Sequence, residues 1–338
     1  MTLRTLTLVT LASPLILGAC DRGSSHTTNT SKEDTKTQPT VFVVNYPLQF
    51  FAEATGSPWA KIETPKLDGA HADDFRPTPE EVIQIQDADL ILLNGAGFSP
   101  WAQTASLPSS RVLVTAESFE DSWIEDTTHH GHDHDHDHDH DHDDHQHGPD
   151  GAGAHHHGKW ASFTWLSPAL AAIQAQAVGD AMKRILPSQQ AEIDGQTKKL
   201  VAGLQSYAQR AAQLKASHLP DLIAAEPHYQ YLAEACGLEL HDADWHWEEP
   251  EPHDGMKSFE DLVEPTGAKY FIIPEDAANM SAERSALLKR LGLTPITIYP
   301  LVNTPVQTDA KNGVPDFMML MGENLSQLEA LKHDHSGG

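Results

Sequence analysis

The 338-residue sequence holds 49 acidic against 22 basic residues, a formal charge of −27, with 22 histidines and only 2 cysteines. So large an acidic excess repels phosphate backbones and excludes nucleic acid as a partner. A chain of this length can bury the cores of about two lobes, and with Cys20 assigned as below, Cys236 is left alone and cannot form an internal disulfide.

The chain begins with Arg4 and an apolar stretch from about Leu6 to Leu17, too short to cross a bilayer and ending in small residues. Residues 1–19 therefore read as a signal peptide. Leu17-Gly18-Ala19-Cys20 resembles the lipobox of bacterial lipoproteins, which implies cleavage before Cys20 and lipid attachment there. Residues 20–39 are rich in Ser, Thr, Asn and Lys without an apolar period, as in a flexible tether. The location this implies is extracytoplasmic, in the periplasm or at the cell surface, anchored to membrane by the lipid.

Val41–Val44 is an apolar run suited to a strand, and a helix follows from Pro47. Thr78-Pro79-Glu80-Glu81 has a capping threonine, proline at the first helical position and glutamate closing a capping box. Leu90–Leu93 reads as a strand stopped by Asn94-Gly95, and Arg111–Thr115 as another. Ser167-Pro168 opens a helix, and a longer one spans about Ser188 to Ser217. On it Ile193, Thr197, Leu200, Leu204, Tyr207, Ala211 and Leu214 step by four and three, forming one buried stripe. Gly195 and Gly203 weaken that helix by about 1 kcal/mol each relative to alanine, so packing must hold it. Leu222–Ala225, Tyr270–Ile273 and Ile296–Ile298 read as strands, and Ala282–Leu291 as a helix closed by Gly292. The alternation predicts an α/β protein of two lobes, with parallel sheets flanked by helices and joined by one long rigid helix. The expected divisions are an N-terminal lobe over 40–166, connecting helices over 167–217 and a C-terminal lobe over 218–338, with a cleft at the strand carboxyl ends.

Thirteen of the histidines crowd into residues 129–157: His129, His130, His132, His134, His136, His138, His140, His142, His145, His147, His155, His156 and His157. Alternating Asp and His leaves nothing apolar to bury, so a disordered loop is expected, far longer than ordinary connections. Imidazole suits zinc, nickel and copper, and the interleaved carboxylates add oxygen donors.

The whole arrangement resembles the substrate-binding lipoproteins of zinc and manganese ABC importers, the group with a rigid helix between lobes. NYPLQFFAEATG is similar to that family's first strand–helix step, and FRPTPEEVIQIQDADLILLNGAGFSPW to its Pro-Thr-Pro segment, alanine–aspartate strand and Asn-Gly. A His/Asp-rich loop ahead of a Trp-Leu-x-Pro helix start matches the zinc branch. HYQYLAEACGL resembles the family's Phe-x-Tyr helix, and MLMGENLSQLEAL its terminal helix.

The resemblance also implies four metal-ligand positions, and here they depart from the pattern. The family's first histidine falls on Asp73, with His71 two residues earlier; its second falls on Phe163. The third position, His in zinc and Glu in manganese members, is Glu226, and the fourth, an aspartate, is Tyr299. Phe163 has no donor atom, and Tyr299 would ligate only as phenolate, costly at neutral pH. Three readings stay open: a displaced metal site of His71, Asp73, Glu226 and His228; a cleft without metal, the loop alone binding it; or a cleft for something else, such as a metal chelate. A further patch, HDADWHWEEPEPHDG, reads as a solvated loop around His241, His246 and His253.

The implied function is capture of Zn2+, or of Mn2+ or another divalent transition metal, by a monomeric binding protein that delivers it to the membrane permease of an ABC importer. The alternative is a periplasmic zinc buffer or metallochaperone without a transporter. No enzyme is expected, since the sequence has no Gly-rich phosphate loop, HExxH, nucleophile elbow or CxxC.

Overall fold

A computed structural model describes residues 38–67, 71–126, 159–243, 245, 256–274, 279–303 and 316–335; residues 1–37, which hold the signal segment and all but the end of the tether, the histidine run 129–157, and His246 and His253 lie outside the described residues. The chain builds two parallel sheets of four strands each. The first comprises β1 (Thr40–Val43), β2 (Lys61–Glu63), β3 (Leu90–Leu93) and β4 (Val112–Val114), in the order β2-β1-β3-β4. The second comprises β5 (Leu222–Ala224), β6 (Leu240–Asp242), β7 (Tyr270–Ile273) and β8 (Thr294–Thr297), in the order β6-β5-β7-β8. Both thus follow one topology, and all six ladders are parallel, Val41 facing Leu90 and Leu222 facing Tyr270 in the central pairs. Helices cover both faces of such sheets, which is why β3 is apolar and buried at every position.

The helices are α1 (Tyr46–Gly56), α2 (Pro79–Asp87), α3 (Pro168–Ile185), α4 (Gln190–Lys215), α5 (Gln230–Cys236), α6 (Met256–Thr266), α7 (Ala282–Arg290) and α8 (Phe317–His335). Their starts are written in local chemistry. Asn45 caps α1, its side-chain oxygen accepting from Leu48 N at 3.1 Å. The capping box of α2 is complete: Thr78 N donates to Glu81 Oε2 at 2.8 Å, and Glu81 N to Thr78 Oγ1 at 3.3 Å. Gly237 ends α5 at φ 68°, where a Cβ would lie 3.0 Å from the Lys215 backbone, so only glycine fits.

The 26-residue α4, about 39 Å long, is the beam on which α1, α3, α5 and α8 pack. Its stripe of Ile193, Thr197, Leu200, Leu204, Ala211 and Leu214 is buried as expected, and the half-buried Tyr207 donates its hydroxyl to Met318 O at 2.9 Å. Residues of both sheets, Val41 and Leu92 with Leu222 and Ile296, join the stripe in one continuous core. A second core lies behind β5 and β7, around Phe271, Phe259 and Leu288. The terminal helix reaches back to α1, where Phe317 lies 5.6 Å from the Phe50 ring and 5.2 Å from that of Phe51.

Three elements are additions to the sequence reading: the short edge strands β2 and β6, and α6. The acidic patch is corrected where it is described. His241 lies on β6, paired in register with Ile223, and Trp245 is 4% exposed within the second core. The indole supplies apolar area that a solvated loop would leave in water.

Candidate metal centre

Each sheet reverses its strand order between its two central strands, β1/β3 and β5/β7, and in open α/β sheets such switch points are where ligands bind, outside the strand carboxyl ends. The chain leaves β5 directly into Glu226-Pro227-His228. His228 N donates to Glu226 O at 2.9 Å, a three-residue turn whose central φ proline supplies. In an extended strand residues two apart share a face but diverge; the turn instead folds these two side chains together. Glu226 Oε2 lies 3.0 Å from His228 Nδ1, with side chains only 11% and 12% exposed. That nitrogen sits off the line a ring N–H needs, and it is buried without a hydrogen bond among the described residues. Two atoms held about 2.0–2.1 Å from one tetrahedral zinc ion lie about 3.3 Å apart, so the pair would need to open only by a few tenths of an ångström to chelate one ion.

Phe163 shapes this pair although it has no donor. Its ring lies flat on His228 at 4.3 Å and 7°, backed by Trp165 at 4.7 Å and by Phe98 at 6.3 Å. The stack fixes the plane of the imidazole.

The segment after β8 binds elements of both halves along its length. Ile298 O accepts from the Tyr229 hydroxyl at 3.0 Å, and Pro300 O from Trp165 Nε1 at 2.9 Å. Val302 O accepts from Tyr46 N at 3.1 Å, and Asn303 Oδ1 from Ala72 N at 3.1 Å. Tyr299, between them, exchanges both backbone groups with the Asn324 side chain, at 2.8 and 2.9 Å. Leu301 holds φ at 59°, a left-handed conformation unfavourable for leucine and enforced here by burial. Tyr229 stays a neutral phenol, its pKa pushed well above the usual range by burial and then by the charge of Glu226. Burial likewise raises the Cys236 thiol to about 12, so it offers no thiolate.

His71 and Asp73 stand in the turn before α2, both half-buried, where Arg76 Nη1 donates to Asp73 O at 2.9 Å. Asp73 Oδ1 is buried without a hydrogen bond among the described residues. Among those residues no three His, Cys, Asp or Glu side chains gather into a group able to hold a metal ion. The structure therefore brings Glu226 and His228 together and does not add His71 or Asp73 to them. Pro227 is the residue that sequence reasoning missed; the Glu-Pro-His spacing was its signal.

The histidine run itself lies outside the described residues, but the described segments that flank it, residues 123–126 and 159–161, are paired. Glu125 and Trp160 form an antiparallel bridge, Asp126 N donates to Lys159 O at 3.0 Å, and Ala161 N to Ile124 O at 2.9 Å. Trp123 packs edge-on against Trp160 at 5.9 Å, with Lys159 Nζ 4.3 Å above the Trp160 ring. Ile124 N donates to the Tyr231 hydroxyl at 3.2 Å, which joins this stem to α5, the helix next after the Glu226–His228 turn.

Among curated protein sequences none matches the chain. Solved structures share its fold. Zn(II)-bound AdcA from Streptococcus pneumoniae is 18% identical with a TM-score of 0.68, covering 87% of this chain; the present chain spans 58% of it. The Zn(II)-bound ZnuA-like domain of the same protein is 17% identical, with TM-score 0.67 and coverage of 87% and 99%. Periplasmic zinc binding protein TroA from Treponema pallidum is 14% identical, with TM-score 0.62 and coverage of 87% and 99%. The sequence pattern, the paired four-stranded sheets and the family match over residues 41–331 agree: the chain belongs to the ZnuA family, zinc-uptake complex component A, periplasmic.

Proposed function

We propose that this protein is the extracytoplasmic zinc-binding component of a zinc-uptake system, which captures Zn2+ outside the cytoplasmic membrane and passes it to the permease of an ABC importer. The observation that carries this reading is the buried carboxylate–imidazole pair of Glu226 and His228 at the cleft end of β5, in a chain of the ZnuA family. Neutral imidazole and carboxylate are donors that zinc accepts, and the cargo ion would be held by this pair with the remaining positions filled by water. Fewer protein donors mean weaker retention, which suits a carrier that must release its cargo. The histidines of 129–157 form a second, collecting store, and the lipid at Cys20 keeps the carrier beside the membrane as a monomer.

A second reading, a zinc buffer or metallochaperone without an importer, is favoured by one observation. Phe163 and Tyr299 stand where the family resemblance places nitrogen and oxygen ligands. Calorimetric zinc titration of the mature chain, with and without residues 129–157, tests the binding. Most of the stoichiometry should vanish with the deletion, leaving one weaker site that Glu226→Gln abolishes. A residual site indifferent to Glu226→Gln would refute the cleft assignment. Reconstitution with the permease, measuring zinc flux into vesicles, separates carrier from buffer. Cys20→Ala should move the protein from the membrane fraction to the soluble one.

A further inference from the structure

Resting on the reading of the cleft as the metal site, we infer that a buried amide–hydroxyl network centred on Gln174 is the positioning device that seats Phe163 on His228. Four side chains form it: Asn94 at the end of β3, Thr115 after β4, Thr164 in the turn after Phe163, and Gln174 inside α3. All four are at most 1% exposed. Gln174 Nε2 donates to Asn94 Oδ1 at 3.0 Å and to Thr115 Oγ1 at 2.8 Å, and Thr164 Oγ1 donates to Gln174 Oε1 at 3.2 Å. Asn94 Nδ2 donates to Gly95 O at 3.1 Å and to Ser162 O at 2.9 Å.

The two amides admit only one orientation, while the single Thr164 hydroxyl proton can reach Gln174 Oε1 at 3.2 Å or Asn94 Oδ1 at 3.3 Å. The Gly95 and Ser162 carbonyls can only accept, so Asn94 must turn its NH2 to them and its oxygen to Gln174, whose own NH2 is thereby set. Buried polar groups cost stability relative to an apolar core unless all are satisfied, and a fully satisfied network specifies one geometry. What this geometry specifies is the Ser162 carbonyl and the Thr164 hydroxyl, the groups on either side of Phe163. The backbone there is not a strand or a helix of its own; Phe163 has φ −86° and ψ 52°. Clamped on both sides, the Phe163 ring has one place to lie, 4.3 Å over His228. Gln174 and Asn94 thus act through Phe163 on the plane of a metal-donor ring, as outer partners do around bound metals.

The test uses the full chain with isotope-labelled histidine, His228 being assigned by the resonance lost in His228→Asn, and Zn2+ as the probe. A ring lying flat on phenylalanine carries an upfield ring-current shift. In Gln174→Met that shift should collapse without metal, and the zinc midpoint read at His228 should rise roughly tenfold or more. Thr115→Val, which removes one of the Gln174 bonds together with the hydroxyl's own bond to the Leu93 or Asn94 carbonyl, should move both readouts the same way by less, and serves if Gln174→Met does not fold. Ile193→Val on α4 is the control for a loosened core and should move neither. Unchanged ring shift and zinc midpoint in both network variants, with only the melting temperature lowered, would overturn the inference and leave the network a core element. If His228 of the unaltered protein ignores zinc, it is the metal reading of the cleft that fails, while the ring-current comparison still decides whether the network sets the stack.

Discussion

Phe163→His returns a nitrogen donor to a position where the family resemblance expects one, and the structure says what this costs first. The side chain is 3% exposed and packed against Trp165 and His228. Without metal, an imidazole there is a buried polar group lacking an assured partner, at about 1–3 kcal/mol, so the metal-free variant should melt a few degrees below the unaltered protein. With zinc the sign reverses. An ion bound only by the folded chain adds about 2.7 kcal/mol when present at roughly a hundred times its dissociation constant, enough to cancel the loss. Zinc held equally by folded and unfolded chain adds nothing, so stores of that kind drop out of the measurement. The assay is thermal unfolding at neutral pH, in chelator and then in rising zinc. The zinc-dependent rise in melting temperature should be larger for Phe163→His than for the unaltered protein. Phe163→Leu, which loses the stack and gains no donor, should show the smallest rise. An equal rise in all three proteins would mean that residue 163 does not border the metal.

Other expectations follow from single contacts. A Cβ at Gly179 would lie 2.2 Å from Thr197 Oγ1, whereas one at Gly195 meets nothing within 4 Å. Gly179→Ala should therefore lose about 1–3 kcal/mol to overpacking, outweighing its gain in helix propensity, while Gly195→Ala should gain about 0.5–1 kcal/mol; shifts of the same sign in denaturant unfolding would refute the close approach of α3 and α4. Arg210 grips the Glu329 carboxylate through Nε and Nη2, each at 2.9 Å, and holds its pKa below the ordinary 4.5. The pair's stabilisation is therefore present above that value and lost as pH falls through the lower folded one. Arg210→Gln should flatten stability against pH in that acid window by no more than about 1 kcal/mol, since the pair is partly exposed; an unchanged slope would show that the pair contributes nothing. If residues 129–157 store zinc as proposed, that uptake should fade below about pH 6, as imidazoles protonate and cease to ligate; calorimetry showing undiminished stoichiometry there would point to carboxylates as the ligands.

Much of the fold is local and was open to reading. The α2 capping box, the apolar runs of β3 and β7 and the four-and-three stripe of α4 each depend on residues a few positions apart, and each formed as its chemistry requires. The edge strands β2 and β6 were not legible, because Lys61-Ile62-Glu63 and Leu240-His241-Asp242 carry little apolar signal and become strands through the backbones of β1 and β5 beside them. The site divides in the same way. That Phe163 has no donor and Tyr299 a reluctant one follows from side-chain chemistry and needs no coordinates. That Phe163 would lie flat on His228, that the Pro227 turn would fold Glu226 onto His228, and that His71 and Asp73 would not join that pair were decided by tertiary structure. Residue types set which atoms can bind a metal; the local turn and the packing of distant segments set which of those atoms come within reach of one ion.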